Sequence, residues 1–387
     1  MVNRTTEPTV AILEMLAARP RASRSELATA TGLSAATVGR AVARLRGQGL
    51  LREVPVDATG VGRPPRIVEL DDRSAFVVGV DAGGRTLRAA VAGLDGRLGT
   101  RIARPVRDAA DPDALIDDLV ALVDALAQTV RPGTIHAVVA GISGIVDHGN
   151  GRVLLSPDLP GLNGVAVAAR LATRLELPAA VDNDDLLAAI GEAAAGAAIG
   201  CRDVVFLSLG YGLGAGLIVG GSPVRGASHA AGAIAYLGPG RLEERASGRA
   251  IPQLYRELLA NHGGPAVADA RHVFELAEAG DQAAIQVVGN VVGSLGDLAV
   301  DVAALLDPEV IVVGGGLAEA GSALFGPLDA RLKASLPYPP RLVASALEDA
   351  AILHGAVSLA LTLARHRVAG IASAARAEPD RPAVATL

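Results

Sequence analysis

Four consecutive residues, Asp182-Asn183-Asp184-Asp185, follow the short apolar run Ala179–Val181 and open a helical stretch ending near Ala198. Acids in that place can simply complement the positive end of a helix dipole. They can equally form a polar cluster at a strand end, where α/β sheets bind ligands. The residues alone leave both readings open. Three glycine turns follow apolar runs of strand length: Asp81-Ala82-Gly83-Gly84, Gly210-Tyr211-Gly212-Leu213-Gly214 and Gly314-Gly315-Gly316. Turns of this kind bring the backbone tightly against a phosphate or another backbone segment. A third chemistry lies near the N-terminus. Thr37, Arg40 and Arg44 fall away from Val38, Val42 and Leu45 on a helical segment that Ser34 is placed to cap. Arg63 sits in a Gly-Arg-Pro tip suited to a minor groove, where arginine meets enhanced negative potential and proline stiffens the arm.

The elements that must hold these residues read as follows. A helix over Ser25–Thr31 stops at Gly32, and a second runs from Ser34 to about Arg46. The turn between them is short and glycine-containing, as in a helix-turn-helix. An earlier segment, Thr9–Ala18, supplies a third helix; Leu51–Val54 and Ile67–Leu70 supply the strands of a wing around Arg63. Gly39 inside the second helix requires either strong packing or a close neighbour. The bland alternative is a helical hairpin with solvated arginines. Beyond the polar joint Asp71–Ser74, strand–glycine–strand units at Phe76–Leu94 and Val204–Val219, each followed by helices, predict a duplicated α/β body. Expected helices are 112–128, 165–176, 245–260, 267–278 and 282–306, with strands at 135–140 and 309–313. The expected domains are 1–72, 73–198 and 199–368, with a flexible tail over 369–387.

With 387 residues, half of them apolar and only 2% aromatic, the chain has room for two or three domains packed through small side chains. The single cysteine, Cys201, excludes an internal disulfide framework and a cysteine-rich zinc site. Residues 1–70 carry ten arginines against six acids, a balance of +4; the remainder carries 25 basic against 35 acidic, or −10. Basic charge therefore coincides with the helix-turn-helix, as phosphate binding requires. No apolar signal stretch follows Arg4 and Glu7, and the run Ala350–Ala364 is too short to span a bilayer. The expectation is a cytoplasmic protein without a membrane partner.

Taken in order, these stretches resemble the ROK family (repressors, open reading frames, kinases) over most of the chain, Thr9 to Arg365. Gly79–Gly84 is similar to the family's first phosphate loop, Ser156–Asn163 to a sugar-side loop, Val181–Glu192 to the catalytic-aspartate segment, Gly210–Gly216 to the second phosphate loop and Ile311–Gly316 to the adenosine loop. The resemblance implies an α/β fold: an N-terminal winged helix-turn-helix plus a duplicated actin/hexokinase-like (ribonuclease H-like) two-lobed body. It implies that Asn163, Asn183, Asp184 and Glu243 face an effector, Asp184 being the general base in active kinases of the family. Gly83, Gly84, Gly210, Gly212, Gly314 and Gly315 would be remnants of nucleotide loops.

The chain also departs from that pattern. The family's DxGGT has Arg85 in place of threonine, with Thr86 displaced by one; its GTGxG has Tyr211; its GExGH reads Gly232-Ala233-Ile234-Ala235-Tyr236, without the glutamate or the zinc-binding histidine. The cysteine loop is missing too, and His229 reads as a loop residue rather than a ligand. The expectation is a regulator of carbohydrate-related genes with no catalytic residue, no cofactor and no metal. It would bind operator DNA as a homodimer and take a carbohydrate-type effector. The alternatives are an ATP-dependent sugar kinase carrying a DNA-binding head, and a DNA binder that answers to no ligand.

Overall fold

The computed structural model describes residues 7–19, 21–55, 66–71, 75–130, 134–238, 241–259 and 267–368. The head comprises α1 (Pro8–Ala18), β1 (Arg21–Ser23), α2 (Arg24–Thr31), α3 (Ala35–Gly47) and the hairpin β2 (Leu51–Pro55) and β3 (Arg66–Leu70). Ser23 accepts from the Glu26 amide while Glu26 accepts from the Ser23 amide, a reciprocal cap that starts α2. Gly32, at φ 70°, ends it in the left-handed region. Ser34 accepts from the Thr37 amide and caps α3. Ile12, Leu16, Leu27, Val38, Val42, Leu45 and Val68 close the core beneath. The winged helix-turn-helix is thus present, with β1 as a third strand in the order β1-β3-β2. The tip, residues 56–65, and with it Arg63, lies outside the described residues.

The next strands are β4 (Ala75–Ala82), β5 (Thr86–Gly93) and β6 (Leu98–Pro105), an antiparallel meander. After them come α4 (Pro112–Thr129), β7 (Thr134–Ile142), the small pair β8 (Ile145–Asp147) and β9 (Arg152–Leu155), α5 (Val167–Leu175) and β10 (Ala179–Asn183). The larger sheet runs β10-β7-β4-β5-β6. Sequence patterning misses β6 because none of its eight residues is buried: as an edge strand rich in arginine it has no apolar alternation to read.

Then follow α6 (Asp184–Ala195), β11 (Val204–Leu209), β12 (Leu213–Val219), β13 (Ser222–Pro223), α7 (Leu242–Ala246), α8 (Ile251–Leu259) and α9 (Ala270–Glu278). The chain continues through α10 (Gln282–Leu306), β14 (Val310–Gly314), α11 (Ser322–Ser335), β15 (Arg341–Ala344) and α12 (Ala351–Val368). The second sheet runs β13-β12-β11-β14-β15, with β11, β14 and β15 mutually parallel and β12 antiparallel. Helix α10 is long and apolar enough to cross a membrane. Here its Val287, Val291, Leu295 and Leu298 are buried in the core that this sheet shares with α8, α9 and α11.

The described residues divide into two compact units, one running to 140 with 146–181 and the residues from 359, the other holding 141–145 and 182–358. The lobe boundary therefore falls at 181 rather than 198, because α6 packs on β12. Gly214 and Gly216 permit it: a Cβ on the first would lie 1.7 Å from the Asp185 carboxylate, and on the second 2.1 Å from the Asp185 carbonyl oxygen. The single helix expected over 245–260 is two, α7 and α8, broken around Gly248, whose amide donates to the Gly210 carbonyl.

One buried contact of the second core titrates. Tyr255 of α8 is fully buried and donates to the Asp281 carboxylate, which also caps α10 by accepting from the Ala284 amide. Burial, then the Asp281 acceptor, raises the phenol pKa above its ordinary value of 10.0. A raised acid pKa contributes stability below the unfolded value that is lost as pH climbs through the folded one. Unfolding free energy is therefore expected to fall above about pH 10, and Tyr255→Phe to flatten that fall. Denaturant titrations at stepped alkaline pH measure the slope.

Candidate functional site

In the head, the outward face of α3 is Ala36, Arg40 and Ala43, all exposed. Thr37 and Arg44 stand roughly 60° and 40° around the helix from Arg40, on the flank facing α1. Thr37 is half-buried, its hydroxyl 2.8 Å from that of Ser34, and Arg44 lies 3.6 Å from Glu7. The three residues grouped by sequence therefore share one side of α3 within about 60° of arc, Arg40 outermost and Thr37 and Arg44 toward α1. One terminal nitrogen of the Arg40 guanidinium lies 3.5 Å from the Thr37 hydroxyl, while the Arg40 side chain stays exposed.

In the body's first unit, Asp81 of β4 is buried and pairs with Arg88, its cross-strand partner on β5, at 3.0 Å. Gly84 has its α-carbon covered by Asp158: a Cβ there would lie 2.6 Å from the Asp158 Cβ. Arg85 is exposed at the turn, and Thr86 already belongs to β5. Asn163 accepts from the Ser156 amide at 2.6 Å and Ser156, itself buried, accepts from the Leu159 amide. Asn163 therefore closes the 156–163 loop on itself.

The second unit brings two glycine turns together. At Gly315, φ is 86° and a Cβ would sit 2.6 Å from the Leu209 carbonyl, so only glycine fits. Gly210 lies beside it, its ideal Cβ position 3.9 Å from the Gly315 α-carbon. Gly314 packs against the Phe206 ring. The turn at 210–212 is held from the far side by the α7–α8 break: Gly248 donates to the Gly210 carbonyl at 2.8 Å and Arg249 to the Tyr211 carbonyl at 3.2 Å. Glu243 pairs with Arg249 at 3.2 Å and faces the Gly212 α-carbon, where a Cβ would be 3.0 Å from its carboxylate. A cleft of about 450 Å³ adjoins both turns. The Tyr211 ring, 53% exposed, stands at its edge, and its walls carry Asp269, Glu275, Glu278 and Glu319 against one cation, Arg271, which pairs with Glu319. Such a cleft has room for a base and sugar but presents surplus negative charge to polyphosphate.

The 182–185 cluster is a joint as much as a site. Asp182 is buried and held by Arg225 through bonds of 2.6 and 3.1 Å to one carboxylate oxygen. Asn183 spends both amide donors, on the Gly144 carbonyl and on Asp184, while its oxygen caps α6 through the Leu186 amide. Asp184 accepts from Asn183 and from the Asp185 amide. Asp184 and Asp185 occupy the first turn of α6, the positive end of its dipole, and Asp184 is half-buried at the end of β10. Beyond, Gly232 (φ 87°) lies against the Ala215 carbonyl, and the Arg241 guanidinium stacks 5.2 Å over the Tyr236 ring. His229 sits in the turn after Gly226 with φ 59°. Sequence reasoning passes over Arg225, Arg249 and Asp158; each acts on residues far along the chain, and no periodicity marks such a partner.

A winged helix-turn-helix joined to an actin/hexokinase-like body with paired glycine turns defines the class of DNA-binding heads on sugar-kinase-like bodies. Residues 77–363 match the ROK family and residues 5–60 the MarR family, so the chain belongs to the ROK family with a MarR-type head. It is 29% identical over 309 residues to a glucokinase of Thermotoga maritima, covering 73% of this chain and 96% of that one. It is 23% identical over 314 residues to a putative xylose repressor of a Caldicellulosiruptor species, covering 76% and 78%. Among solved structures, a ROK family transcriptional regulator homologous to the E. coli MLC protein superposes with TM-score 0.80 at 21% identity, over 94% of this chain and 98% of that one. A Streptomyces griseus ROK glucokinase in complex with glucose and AMPPNP gives TM-score 0.63 at 27% identity, over 74% and 99%.

Proposed function

We propose that the chain is a sequence-specific transcriptional regulator, a repressor of carbohydrate-related genes, whose kinase-like body senses a ligand and mediates homodimerisation. The observation that carries this reading is α3: capped at its start, braced by α1 and α2, and presenting Arg40 outward beside a wing. Two heads in a two-fold dimer would address half-sites separated by whole turns of DNA. The body serves as a sensor rather than a kinase. Tyr211 stands where the second phosphate loop of a kinase carries threonine, Asp158 covers Gly84 in the first, and acids outnumber the cation in the adjoining cleft. Phosphoryl transfer depends on positioned phosphates and charge stabilisation, which this arrangement weakens. In the second unit, Asp184 and Glu243 are the polar groups proposed to meet a sugar-like effector, since Asn183 is committed to Gly144, Asp184 and the α6 cap; in the first unit, Asn163 closes its own loop. A head over 1–72, a body whose second lobe takes in α6 and so begins at 182, and a cytoplasmic location complete the proposal; residues 369–387, expected as a tail, lie outside the described residues.

If Arg40 reads a guanine edge, Arg40→Ala should cost about 1–3 kcal/mol of binding and relax preference at that base. Selection of bound sequences from a random duplex pool, repeated with the variant, measures both. An unchanged selected motif would reject the role. The whole reading is tested by melting the protein against sugars, sugar phosphates, ATP with magnesium and promoter duplex. A true ligand at about a hundred times its dissociation constant stabilises by roughly 2.7 kcal/mol.

A second reading, a sugar kinase with a DNA-binding head, draws on Asp184 at the strand end, on the adjacent turns at Gly210 and Gly315, and on the glucokinase relatives. An ATP-induced shift with phosphoryl transfer to a sugar would establish it in place of the first.

A further inference from the structure

Glu53 of β2 has a side chain only 4% exposed, and three arginines from three different elements converge on it. Arg24, the first residue of α2, lies 2.7 Å from one carboxylate oxygen. Arg46, near the end of α3, lies 2.7 Å from the other, and Arg66, which opens β3, lies 3.8 Å from that same oxygen. Each arginine side chain remains about half exposed, between 45% and 52%. The cluster carries +2 overall, three cations on one buried anion. A carboxylate can accept only a few of the donors that three guanidinium forks supply, so much of the donor capacity faces solvent.

The position of the cluster gives it a meaning. Arg46 and Gly39 lie two turns apart on the same flank of α3, opposite the flank of Thr37 and Arg44. Arg24 crosses that flank, its guanidinium 3.7 Å from where a Cβ on Gly39 would be. That is an ordinary van der Waals distance to a flexible side-chain end, so an alanine would also fit beneath Arg24. This flank faces the β2–β3 hairpin. When a helix enters the major groove and the adjoining wing enters the minor groove, the strand between the two grooves must run past the surface joining helix to wing. That surface is the Glu53 cluster.

We infer that Arg24, Arg46 and Arg66, gathered by Glu53, form a clamp for backbone phosphate of duplex DNA between the two grooves, with Glu53 as the positioning residue. The inference rests on the DNA-binding reading of the head. Arginine forks held ready match phosphate oxygens bidentately and lose less freedom on binding than free side chains do. Such contacts set register without reading sequence. Arg21 and Arg52 converge in the same way on buried Glu69, at 2.7 and 2.8 Å, but on the other face of the sheet, where Glu69 is the cross-strand neighbour of both arginines; they form no part of the clamp.

The test uses the full chain and a fluorescently labelled 30-base-pair duplex of mixed sequence, since phosphate contacts are independent of sequence. Affinity is measured against salt. Each lost phosphate contact should shallow the slope of log K on log salt by about 0.9, so Arg24→Ala and Arg46→Ala should each do so. Arg104→Ala, on the exposed edge strand β6, should not. Glu53→Gln gives the sharper discrimination. It raises the net charge, so simple attraction predicts tighter binding and a steeper slope, whereas a clamp whose centre is lost predicts weaker binding and a shallower one. Because Glu53→Gln can unsettle the wing, Arg24→Lys is measured beside it; Lys keeps the charge without the fork and should lower affinity several-fold. Unchanged slopes for Arg24→Ala and Arg46→Ala, or tighter binding by folded Glu53→Gln, would overturn the clamp while leaving DNA binding intact. No salt-sensitive duplex binding by the native protein would overturn the clamp and the DNA-binding reading together.

Discussion

Arg225→Ala is expected to destabilise the second unit by about 3–5 kcal/mol, the usual cost of leaving one partner of a buried ion pair alone. Asp182 has a side chain 5% exposed, and Arg225 is its charged partner, 20% exposed. Its other bond, from the Asn183 amide to Oδ1 at 3.0 Å, is too little to hold a carboxylate in that setting. The double variant Asp182→Asn with Arg225→Ala should recover part of the loss, since it removes the stranded charge, and the difference isolates the pair. All four tyrosines, at 211, 236, 255 and 338, lie in the second unit, so tyrosine fluorescence during denaturant unfolding reports this unit alone. A cost below about 1 kcal/mol, the range of surface pairs, would mean that Asp182 finds solvent when Arg225 leaves. The pair also has a functional side. Asp182 directly precedes Asn183 and Asp184, and Arg225 anchors the turn leading to Gly232. Its loss should weaken any ligand response of the body along with stability.

What the sequence disclosed follows from how local each signal is. The head was legible because caps, a glycine stop and a 3.6-residue period all act within a few positions: Ser34, Gly32, Val38, Val42 and Leu45 each did what their spacing required. The strands β4, β5, β11 and β14 were legible because buried strands are unbroken apolar runs. Edge strands β6 and β15 were not, for their faces are wet and their composition is that of a loop. The α7–α8 break was hidden because its cause, the Gly210 carbonyl, lies 38 residues back in the chain from Gly248. At the candidate sites, residue types were readable but partnerships were not. Arg44 and Arg46 look alike in sequence; one faces Glu7 and the other Glu53, which sends them to opposite flanks of α3. The same holds for Asn163, whose side chain is engaged in closing its own loop.

Glu192 carries the largest expected effect in the body, and it bears on why a catalytic-looking segment survives in a chain read as a sensor. It closes the stretch Val181–Glu192, is fully buried, and has no cation beside it among the described ion pairs. Every group around its carboxylate is a donor. One oxygen accepts from the Ser345 hydroxyl and from the Leu347 amide at 3.1 Å; the other accepts from the Ala197 amide at 2.6 Å and the Ala346 amide at 3.4 Å. Glu192 thereby ties the end of α6 to the β15–α12 connection, about 150 residues away. Gly196 allows it, since a Cβ there would lie 2.1 Å from the carboxylate. Glu192→Ala strands several buried donors and opens a void, with an expected loss of about 4–5 kcal/mol, the range marking a broken buried network. Glu192→Gln should lose nearly as much, because an amide turns two hydrogens toward groups that are already donors. Chemical denaturation followed by tyrosine fluorescence measures both, and a Gln variant as stable as the native chain would refute the acceptor-only description. With Asp182 engaged by Arg225, Asn183 capping α6, Asp185 packed on Gly214 and Glu192 bridging to β15, four of the segment's five acidic or amide side chains hold the fold together. These residues have structural roles whether or not Asp184 ever removes a proton.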